Sequence, residues 1–329
     1  MDRDACNRPR FVADADAGHY ESWFQRANHP TRPLAFWIRY TIFSPKGRPQ
    51  DAVGELWAIW FDGERGRHLA LKRELPIAAC RFAPQGLHLN IGEALLRDDT
   101  LQGAIDAGTR GSLRWALDYA DGQPPLLLLP EPLYAGGFPK AKVLVGTPNA
   151  VYRGTLWVDG QRVEIDAWQG SQNHNWGSRH TDHYAWGQVA GFDEAPEAFL
   201  ECSTARLKLG PLWTPPLSVA VLRLDGQEYR FDSLARSWRA RARFELGHWT
   251  LQHRAPGLAL TVEMRAPHED FVGLAYANPP GGIKTCLNSK LADCRVTLTR
   301  DDAVVRELHC HRRAAFEILG DDALLPHSC

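Results

Sequence analysis

Val151-Tyr-Arg-Gly-Thr-Leu-Trp-Val158 is a run of mostly β-forming residues, and Asp159-Gly160 separates it from a second extended run, Arg162-Val-Glu-Ile-Asp166. An Asp-Gly pair between two such runs is the strongest short-range signal of a β-hairpin. The same arrangement, with Asp225-Gly226 at the turn, joins residues 217–224 to residues 227–231. The sequence therefore predicts antiparallel hairpins in both halves of the chain.

Short runs of β-forming residues, each closed by a turn signal, occur along most of the remaining chain. Phe36–Phe43 and Gly54–Phe61 are two examples. Helical patterns are sparse. We expect one short helix over residues 20–28, which ends before a proline, and a turn or two of helix within residues 90–101.

The length of 329 residues suits two domains or one large β architecture, and a hydrophobic content of 44% is enough for a packed core. Many short strands with turn signals between them are typical of β-sandwiches and β-barrels. Because hairpin signals occur in both halves, we predict an all-β protein with little helix. We expect two consecutive antiparallel β-domains, residues 1–180 and residues 181–329.

The charge balance and the hydropathy pattern exclude two classes of partner. The chain has 38 Lys and Arg residues against 39 Asp and Glu residues, so it lacks the basic excess of a nucleic-acid-binding protein. Its apolar runs, Leu126–Leu129 among them, are far too short to span a membrane. We therefore expect neither a nucleic-acid partner nor a membrane span.

The first residues and the cysteine usage bear on the cellular compartment. Residues 1–6 are charged and have no apolar segment, which argues against a signal peptide. The seven cysteines are dispersed along the chain without the spacing of a disulfide scaffold. We expect a cytoplasmic protein whose thiols are mostly reduced.

One stretch of nineteen residues is exceptionally dense in functional groups: Trp168-Gln-Gly-Ser-Gln-Asn-His-Asn-Trp-Gly-Ser-Arg-His-Thr-Asp-His-Tyr-Ala-Trp186. Aromatic residues mixed with a few convergent polar groups are typical of a small-molecule site. In a strand, Gln172, His174 and Trp176 share one face, and Asn175 points the other way. The stretch therefore predicts either the wall of a ligand pocket at the domain junction or a buried polar network that joins the two domains.

Isolated charged residues in apolar strands are further candidates. Arg39, Glu55 and Glu201 are each flanked by hydrophobic residues. A carboxyl group in an apolar pocket can serve as a general acid, although such residues can also lie on the outward face of an amphipathic strand. Spacings of six and three between His174, His180 and His183 match no recurrent zinc pattern, so we expect no metal site.

Several short motifs resemble a known superfamily. They are Ser22-Trp-Phe, Asn28-His-Pro30, Ala35-Phe-Trp-Ile-Arg-Tyr40, Gly54-Glu-Leu-Trp57 and Gln172-Asn-His-Asn-Trp-Gly177, with a looser match at Tyr184-Ala-Trp186. Together they look like the two-domain lipocalin-like proteins of the AttH and hydroxyneurosporene synthase (carotenoid 1,2-hydratase) superfamily. Tocopherol cyclases and some fungal Diels–Alderases are more distant relatives.

The resemblance implies two lipocalin-like β-domains and chemistry without a redox cofactor. Members of the superfamily protonate, hydrate or cyclise hydrophobic isoprenoid or polyene substrates. We therefore expect an apolar small-molecule partner, no cofactor, and an acid-assisted isomerisation, hydration or cyclisation. The candidate proton donors are His174, Glu201 and Glu55. The candidate ligand contacts are Trp37, Arg39, Trp57, Gln172, Asn175, Trp176, Arg179, His180 and Trp186.

Two alternatives follow from the same residues. A non-catalytic carrier of a lipid, quinone or polyene needs an apolar cavity but no acid that faces it. A structural protein, in which the 168–186 stretch only joins the domains, needs neither of these features.

Overall fold

A computed structural model describes residues 2–320, and the prediction of an all-β protein with two β-domains is confirmed. The described chain forms two compact units. Unit 1 comprises residues 2–127, 137–180 and 277–282. Unit 2 comprises residues 128–136, 181–276 and 283–320.

Unit 1 is built on one antiparallel sheet, in the strand order β4-β3-β2-β1-β12-β11-β9-β8-β7-β6-β5, with β10 paired to β11. Helix α1 (Arg3–Asn7) precedes the sheet. The strands are β1 (His19–Asn28), β2 (Leu34–Ser44), β3 (Val53–Asp62), β4 (Arg67–Pro76), β5 (Cys80–Phe82), β6 (His88–Ile91), β7 (Ala94–Arg97), β8 (Thr100–Asp106), β9 (Ser112–Ala120), β10 (Leu126–Leu127), β11 (Ala141–Val158) and β12 (Gln161–Gly177).

The predicted Asp159-Gly160 hairpin joins β11 to β12. Both turn residues have positive φ, 49° and 77°, as a tight turn of this kind requires. Because β12 also pairs with β1, this hairpin links the first and last strands of unit 1. The core of the unit packs on one face of the sheet, where its largest members are Trp23, Phe36, Tyr40, Trp115, Tyr152 and Trp168.

Unit 2 repeats this architecture with a sheet in the order β18-β17-β14-β13-β24-β23-β21-β20-β19, to which β22 is added beside β23. A separate two-stranded ribbon pairs β15 with β16. The elements are β13 (His183–Ala190), β14 (Phe199–Arg206), β15 (Lys208–Leu209), β16 (Leu212–Trp213), β17 (Leu217–Leu224), β18 (Gln227–Phe231), α2 (Leu234–Ser237), β19 (Arg241–Glu245), β20 (His248–Ala255), β21 (Leu258–Arg265), β22 (Val272–Ala277), β23 (Ile283–Arg300) and β24 (Ala303–Gly320).

The predicted hairpin at Asp225-Gly226 is confirmed as the β17–β18 connection. A longer hairpin, β23–β24, pairs over most of its length and places Phe316 in the core of unit 2. Short 3₁₀ helices complete the regular structure of both units, at Pro49–Asp51, Ile77–Ala79, Gly108–Arg110, Glu131–Tyr134 and His268–Asp270.

Two helix predictions were wrong. Residues 20–28 lie in β1, and residues 90–101 are divided among β6, β7 and β8. Every residue from Tyr20 to Asn28 is buried, so β1 lacks the alternation of apolar and polar residues that marks a half-exposed strand. Pairing with β2 on one side and β12 on the other determines its conformation, and this long-range pairing overrides local sequence preference.

Two further properties concern membranes and cysteines. Within residues 2–320, none of the helices has the length and apolar character that crossing a bilayer requires. The six cysteines in this part of the chain carry free thiols, and five of them are buried. Cys329 lies outside the described residues.

Candidate functional site

Strands β1, β2 and β3 of unit 1 are buried on both faces, and the predicted site residues of this unit divide between the two faces. Directly opposed residues of neighbouring strands point to the same side of a sheet. His174 opposes Trp23 of the core, so Gln172, His174 and Trp176 lie on the core face. Asn175 lies on the opposite face. Trp37, Arg39, Glu55 and Trp57 share that face, because they alternate with core residues of β2 and β3.

On the core face, Glu21 is the centre of a dense polar network. Its carboxylate accepts hydrogen bonds from the backbone N–H groups of Arg10 and Phe11, each at 2.9 Å. His19 Nε2 lies 3.0 Å away and His174 Nε2 lies 2.9 Å away. Burial alone would raise the pKa of Glu21. The hydrogen bonds and positive charge of the two histidines outweigh burial and hold this pKa at about 2.

His174 is completely buried, and both of its ring nitrogens have neighbours within hydrogen-bonding distance. Nε2 faces Glu21, and Nδ1 lies 2.7 Å from the carbonyl oxygen of Cys6. The ring stacks on Trp23 at 4.6 Å and contacts Trp176 at 4.8 Å. Burial lowers the pKa of His174, and the hydrogen bond to Glu21 partly opposes this effect. The contact with Cys6 connects His174 to the segment that precedes β1.

The other two residues of this face make contacts with the same segment. Gln172 exchanges two hydrogen bonds with the side chain of Asn7, each 3.0 Å long. The guanidinium of Arg10 lies 3.8 Å above the ring of Trp176. Gln172, His174 and Trp176 therefore each hold one part of the segment around residues 6–10.

The opposite face of unit 1 carries a row of cross-strand partners, in which Asn173 pairs with Phe24, Phe24 with Arg39, and Arg39 with Trp57. Arg39 Nη2 donates to Ser22 Oγ at 2.6 Å. The guanidinium of Arg39 also lies 5.9 Å from the ring of Trp37. This face is buried although it is rich in polar groups.

Glu55 and Trp57 are in direct contact on that face. The indole N–H of Trp57 donates to Glu55 Oε2 at 3.0 Å. Lys72 on β4 forms an ion pair with Glu55 Oε1 at 2.8 Å, and its ammonium lies 4.4 Å from the centre of the Trp57 ring. Because Lys72 is 27% exposed, this carboxylate has a charged partner near solvent.

The remaining predicted residues of unit 1 lie after β12. His180 is buried and stacks on Tyr20 at 4.0 Å, and its backbone N–H donates to Asn278 Oδ1 at 3.0 Å. Arg179 lies in the bend before it and is half-buried. Within residues 2–320, no group of three or more His, Cys, Asp and Glu side chains could hold a metal ion.

In unit 2, the structure brings two predicted residues together. The indole N–H of Trp186 donates to Glu201 Oε1 at 2.7 Å, and Gln188 Nε2 donates to Glu201 Oε2 at 2.8 Å. Glu201 and Gln188 are completely buried, and Trp186 is 5% exposed. Their sequence neighbours Ala185 and Cys202 belong to the core, so this trio lies on the opposite face of the sheet.

Sequence reasoning missed an ion pair beside this trio. Lys290 Nζ lies 2.7 Å from Glu317 Oε1, and the side chain of Lys290 is completely buried. Asn288 Nδ2 donates to the same carboxylate oxygen at 2.9 Å. The ammonium of Lys290 lies 5.6 Å from the ring of Trp186. Glu317 is an isolated carboxyl residue in an apolar run, which is the same sequence pattern that made Glu55 and Glu201 candidates.

A comparison with protein families matches the part of the chain that contains the unit 2 residues described above. A family model described as tocopherol cyclase-like matches residues 138–320, which is more than half of the chain. The chain belongs to the tocopherol cyclase-like family. This finding confirms the resemblance inferred from the short motifs. The residues matched to the tocopherol cyclase-like family include Glu201, Lys290 and Glu317, whereas Glu55 lies outside the match.

Similar proteins extend over most of the chain. The uncharacterized protein Rv0493c of Mycobacterium tuberculosis is 28% identical over 286 residues, which are 86% of this chain and 82% of that protein. The AttH-like protein NE1406 of Nitrosomonas europaea has a solved structure with a TM-score of 0.54 at 14% identity, over 95% of this chain and 97% of that one.

Two further solved structures share the fold. CghA with Sch210972 gives a TM-score of 0.55 at 11% identity, over 98% of this chain and 93% of that one. Kievitone hydratase from Nectria haematococca gives a TM-score of 0.53 at 9% identity, over 98% of this chain and 96% of that one. At these identities the likeness concerns the fold.

Proposed function

We propose that this protein is a cofactor-independent hydratase, isomerase or cyclase that protonates an alkene of a hydrophobic, isoprenoid- or polyene-like small molecule. The observation that carries the proposal is Glu201, a completely buried carboxyl group that accepts hydrogen bonds from Trp186 and Gln188. Membership of the tocopherol cyclase-like family and the fold shared with kievitone hydratase support this reaction class. We expect the protein to act in the cytoplasm.

The proposed reaction begins with proton transfer from the neutral carboxyl of Glu201 to one alkene carbon. A C–H bond forms, the π bond breaks, and the second carbon becomes cationic. The ring of Trp186 stabilises that cation, an attraction worth up to about 2 kcal/mol when desolvated. Water or a hydroxyl group of the substrate then adds to the cation, and its proton returns to the Glu201 carboxylate. Loss of a proton without addition gives an isomer.

The surroundings of the other buried carboxyl groups favour Glu201 for this role. Glu21 has a pKa of about 2 and so remains ionised, which makes it unsuitable as a proton donor near neutral pH. Glu55 and Glu317 are paired with Lys72 and Lys290. Each of these two carboxylates is therefore already engaged by an ammonium group. Glu201 accepts hydrogen bonds from the indole of Trp186 and the amide of Gln188.

Proton transfer can be tested by isotope incorporation. The protein is incubated in D₂O with a prenylated hydroquinone and with an acyclic polyene, and the product is analysed by mass spectrometry for a new C–D bond. We expect deuterium in the product and a rate about 100- to 10,000-fold lower for Glu201→Gln. Glu245→Gln, an exposed carboxyl of the same unit, serves as the control.

The outcomes separate the candidate roles. If Glu55→Gln abolished deuterium incorporation and Glu201→Gln did not, the proton donor would be Glu55 in unit 1. Binding of a probe, followed by tryptophan fluorescence, without any turnover by the parent protein would identify a carrier. Denaturation midpoints of all variants show whether a loss of rate reflects loss of the folded protein.

A further inference from the structure

A groove on unit 2 brings together four arginine side chains. It has a volume of about 510 Å³ and is lined by residues of α2, β19 and β20 and of the segment that joins α2 to β19. The arginines are Arg236, Arg239, Arg241 and Arg254, and the remaining lining residues are uncharged. We propose that this arginine groove binds the phosphate-bearing headgroups of an anionic lipid membrane.

The groove keeps its positive charge because acidic residues neutralise little of it. Within residues 2–320, Arg236, Arg239 and Arg241 make no ion pair, and Arg254 has one carboxylate partner, Asp302, at 3.6 Å. Both members of that pair are more than 80% exposed, so the pair is weak and readily exchanged. The whole chain has a net charge of −1, so the positive charge of these four arginines is concentrated in the groove and is not a general property of the protein.

Exposed apolar residues neighbour two of these arginines in the sequence. Leu234 and Trp238 are 45% and 55% exposed, on either side of Arg236 in the sequence. The guanidinium of Arg239 lies 5.1 Å from the ring of Trp238. Arginine beside exposed leucine and tryptophan is the combination by which peripheral proteins enter the headgroup region of an anionic bilayer.

A simpler explanation covers only part of the cluster. Charged residues on an edge strand prevent sheets from pairing edge to edge. Strand β19 is the edge of the unit 2 sheet, so this accounts for Arg241. It does not account for Arg236 in α2, for Arg254 on β20, or for the exposure of Trp238. A soluble phosphate would likewise leave Leu234 and Trp238 without a role.

Vesicle binding tests the proposal directly. The parent protein is co-sedimented with vesicles of phosphatidylcholine alone and with vesicles that also contain phosphatidylglycerol. We expect binding to the second kind only, and weaker binding as salt is added. The double variant Arg236→Gln/Arg239→Gln should lose about 30-fold in vesicle affinity, since each surface arginine contributes about fivefold. Trp238→Ala should also weaken binding.

The matched control is Arg81→Gln/Arg110→Gln, which removes the same charge from exposed positions of unit 1 and should bind vesicles like the parent. All substituted arginines are exposed, so circular dichroism should report an unchanged fold. Equal loss in both double variants, or no binding to phosphatidylglycerol vesicles, overturns the proposal. Full displacement by inorganic phosphate assigns the groove to a soluble anion, and tighter binding to duplex DNA assigns it to nucleic acid.

The vesicle assay is independent of the deuterium assay. Glu201→Gln should bind vesicles normally, and Arg236→Gln/Arg239→Gln should retain proton transfer to a probe supplied in detergent. Failure of one proposal therefore leaves the other open to its own test.

Discussion

Three buried carboxyl groups, those of Glu21, Glu201 and Glu317, differ in the donors that surround them. Glu21 has two backbone N–H groups and two histidines, and Glu317 has the ammonium of Lys290. Glu201 accepts hydrogen bonds from an indole and from an amide. Because these carboxyl groups contact different partners, three residues of similar burial suit different tasks. Glu21 holds a segment in place, whereas Glu201 is our candidate acid.

The Glu21 network makes stability depend on acid. The pKa of Glu21 is about 2 in the folded protein and 4.5 when unperturbed. A lowered folded-state pKa means that the stabilisation is fully present above pH 4.5 and is lost as pH falls from there toward 2. The amount is on the order of 3 kcal/mol. In Glu21→Gln we expect urea midpoints to fall less steeply than in the parent over this pH range.

The control for this prediction is Glu93→Gln, an exposed carboxyl in the β6–β7 hairpin, which should retain the parent's dependence on pH. Equal slopes for Glu21→Gln and the parent would mean that Glu21 is not ionised at low pH in the folded protein.

At the scale of elements, the sequence predicted what local chemistry determines. The hairpins at Asp159-Gly160 and Asp225-Gly226 are confirmed because turn residues and flanking β-formers act over a few positions. Strand β1 was predicted as a helix, because its identity depends on partners far along the chain: Trp23 opposes Tyr40 and His174. A strand buried on both faces shows no alternation in its sequence, so this information was absent from the local pattern.

An irregularity in one strand positions the buried lysine. The register of β23 against β24 shifts between Ser289 and Ala292, and Lys290 lies within the shift. Bulges of this kind redirect a side chain that regular pairing would place elsewhere. Lys290 reaches Glu317, whose regular cross-strand partner is Asn288. No local sequence signal marks a bulge here, which explains why this ion pair was not predicted.

Removing one member of this ion pair should lower the free energy of unfolding strongly, whereas replacing both members should lower it little. Lys290→Met leaves the Glu317 carboxylate buried without its ammonium, and we expect a loss of about 3–5 kcal/mol in the free energy of unfolding. Lys290→Met/Glu317→Gln removes both charges and keeps an acceptor for Asn288, so it should recover most of that loss. Urea denaturation of the single and double variants measures both quantities.

A matched pair on the same two strands provides the control. Arg295 and Glu307 are 3.4 Å apart and about half exposed, and Arg295→Met should cost less than about 1 kcal/mol. Additive losses for Lys290→Met and Glu317→Gln would show that the two side chains do not stabilise each other.

At the scale of the whole molecule, the sequence identified several of the buried polar residues, such as His174, Glu55 and Glu201, but not how they are grouped. His174 and Glu55 were both candidate donors, yet they lie on opposite faces of the unit 1 sheet, and Glu201 belongs to unit 2. Residue spacing decides which neighbours share a face. It does not decide which of two buried faces carries the core, because that depends on how all strands of a sheet assemble.

The distribution of cysteines allows the opening of both units to be followed in one experiment. Cys6 is buried in unit 1, and Cys202, Cys286, Cys294 and Cys310 are buried in unit 2, whereas Cys80 of unit 1 is partly exposed. A thiol must be accessible and ionised to react. In a Cys329→Ser variant without denaturant, we expect Ellman's reagent to modify Cys80 alone at first. Because burial raises the pKa of Cys80, this reaction should be slower than that of a free thiol.

The five buried thiols should then react only as the units that contain them open, and all six should react at once in strong denaturant. Mass spectrometry after increasing labelling times identifies which thiol has reacted. Early modification of Cys6 would contradict the tight anchoring of the N-terminal segment by Glu21 and His174, since the carbonyl of Cys6 is held at His174 Nδ1. Glu21→Gln should accelerate the labelling of Cys6 and leave Cys202 unaffected, because the network that it weakens lies within unit 1.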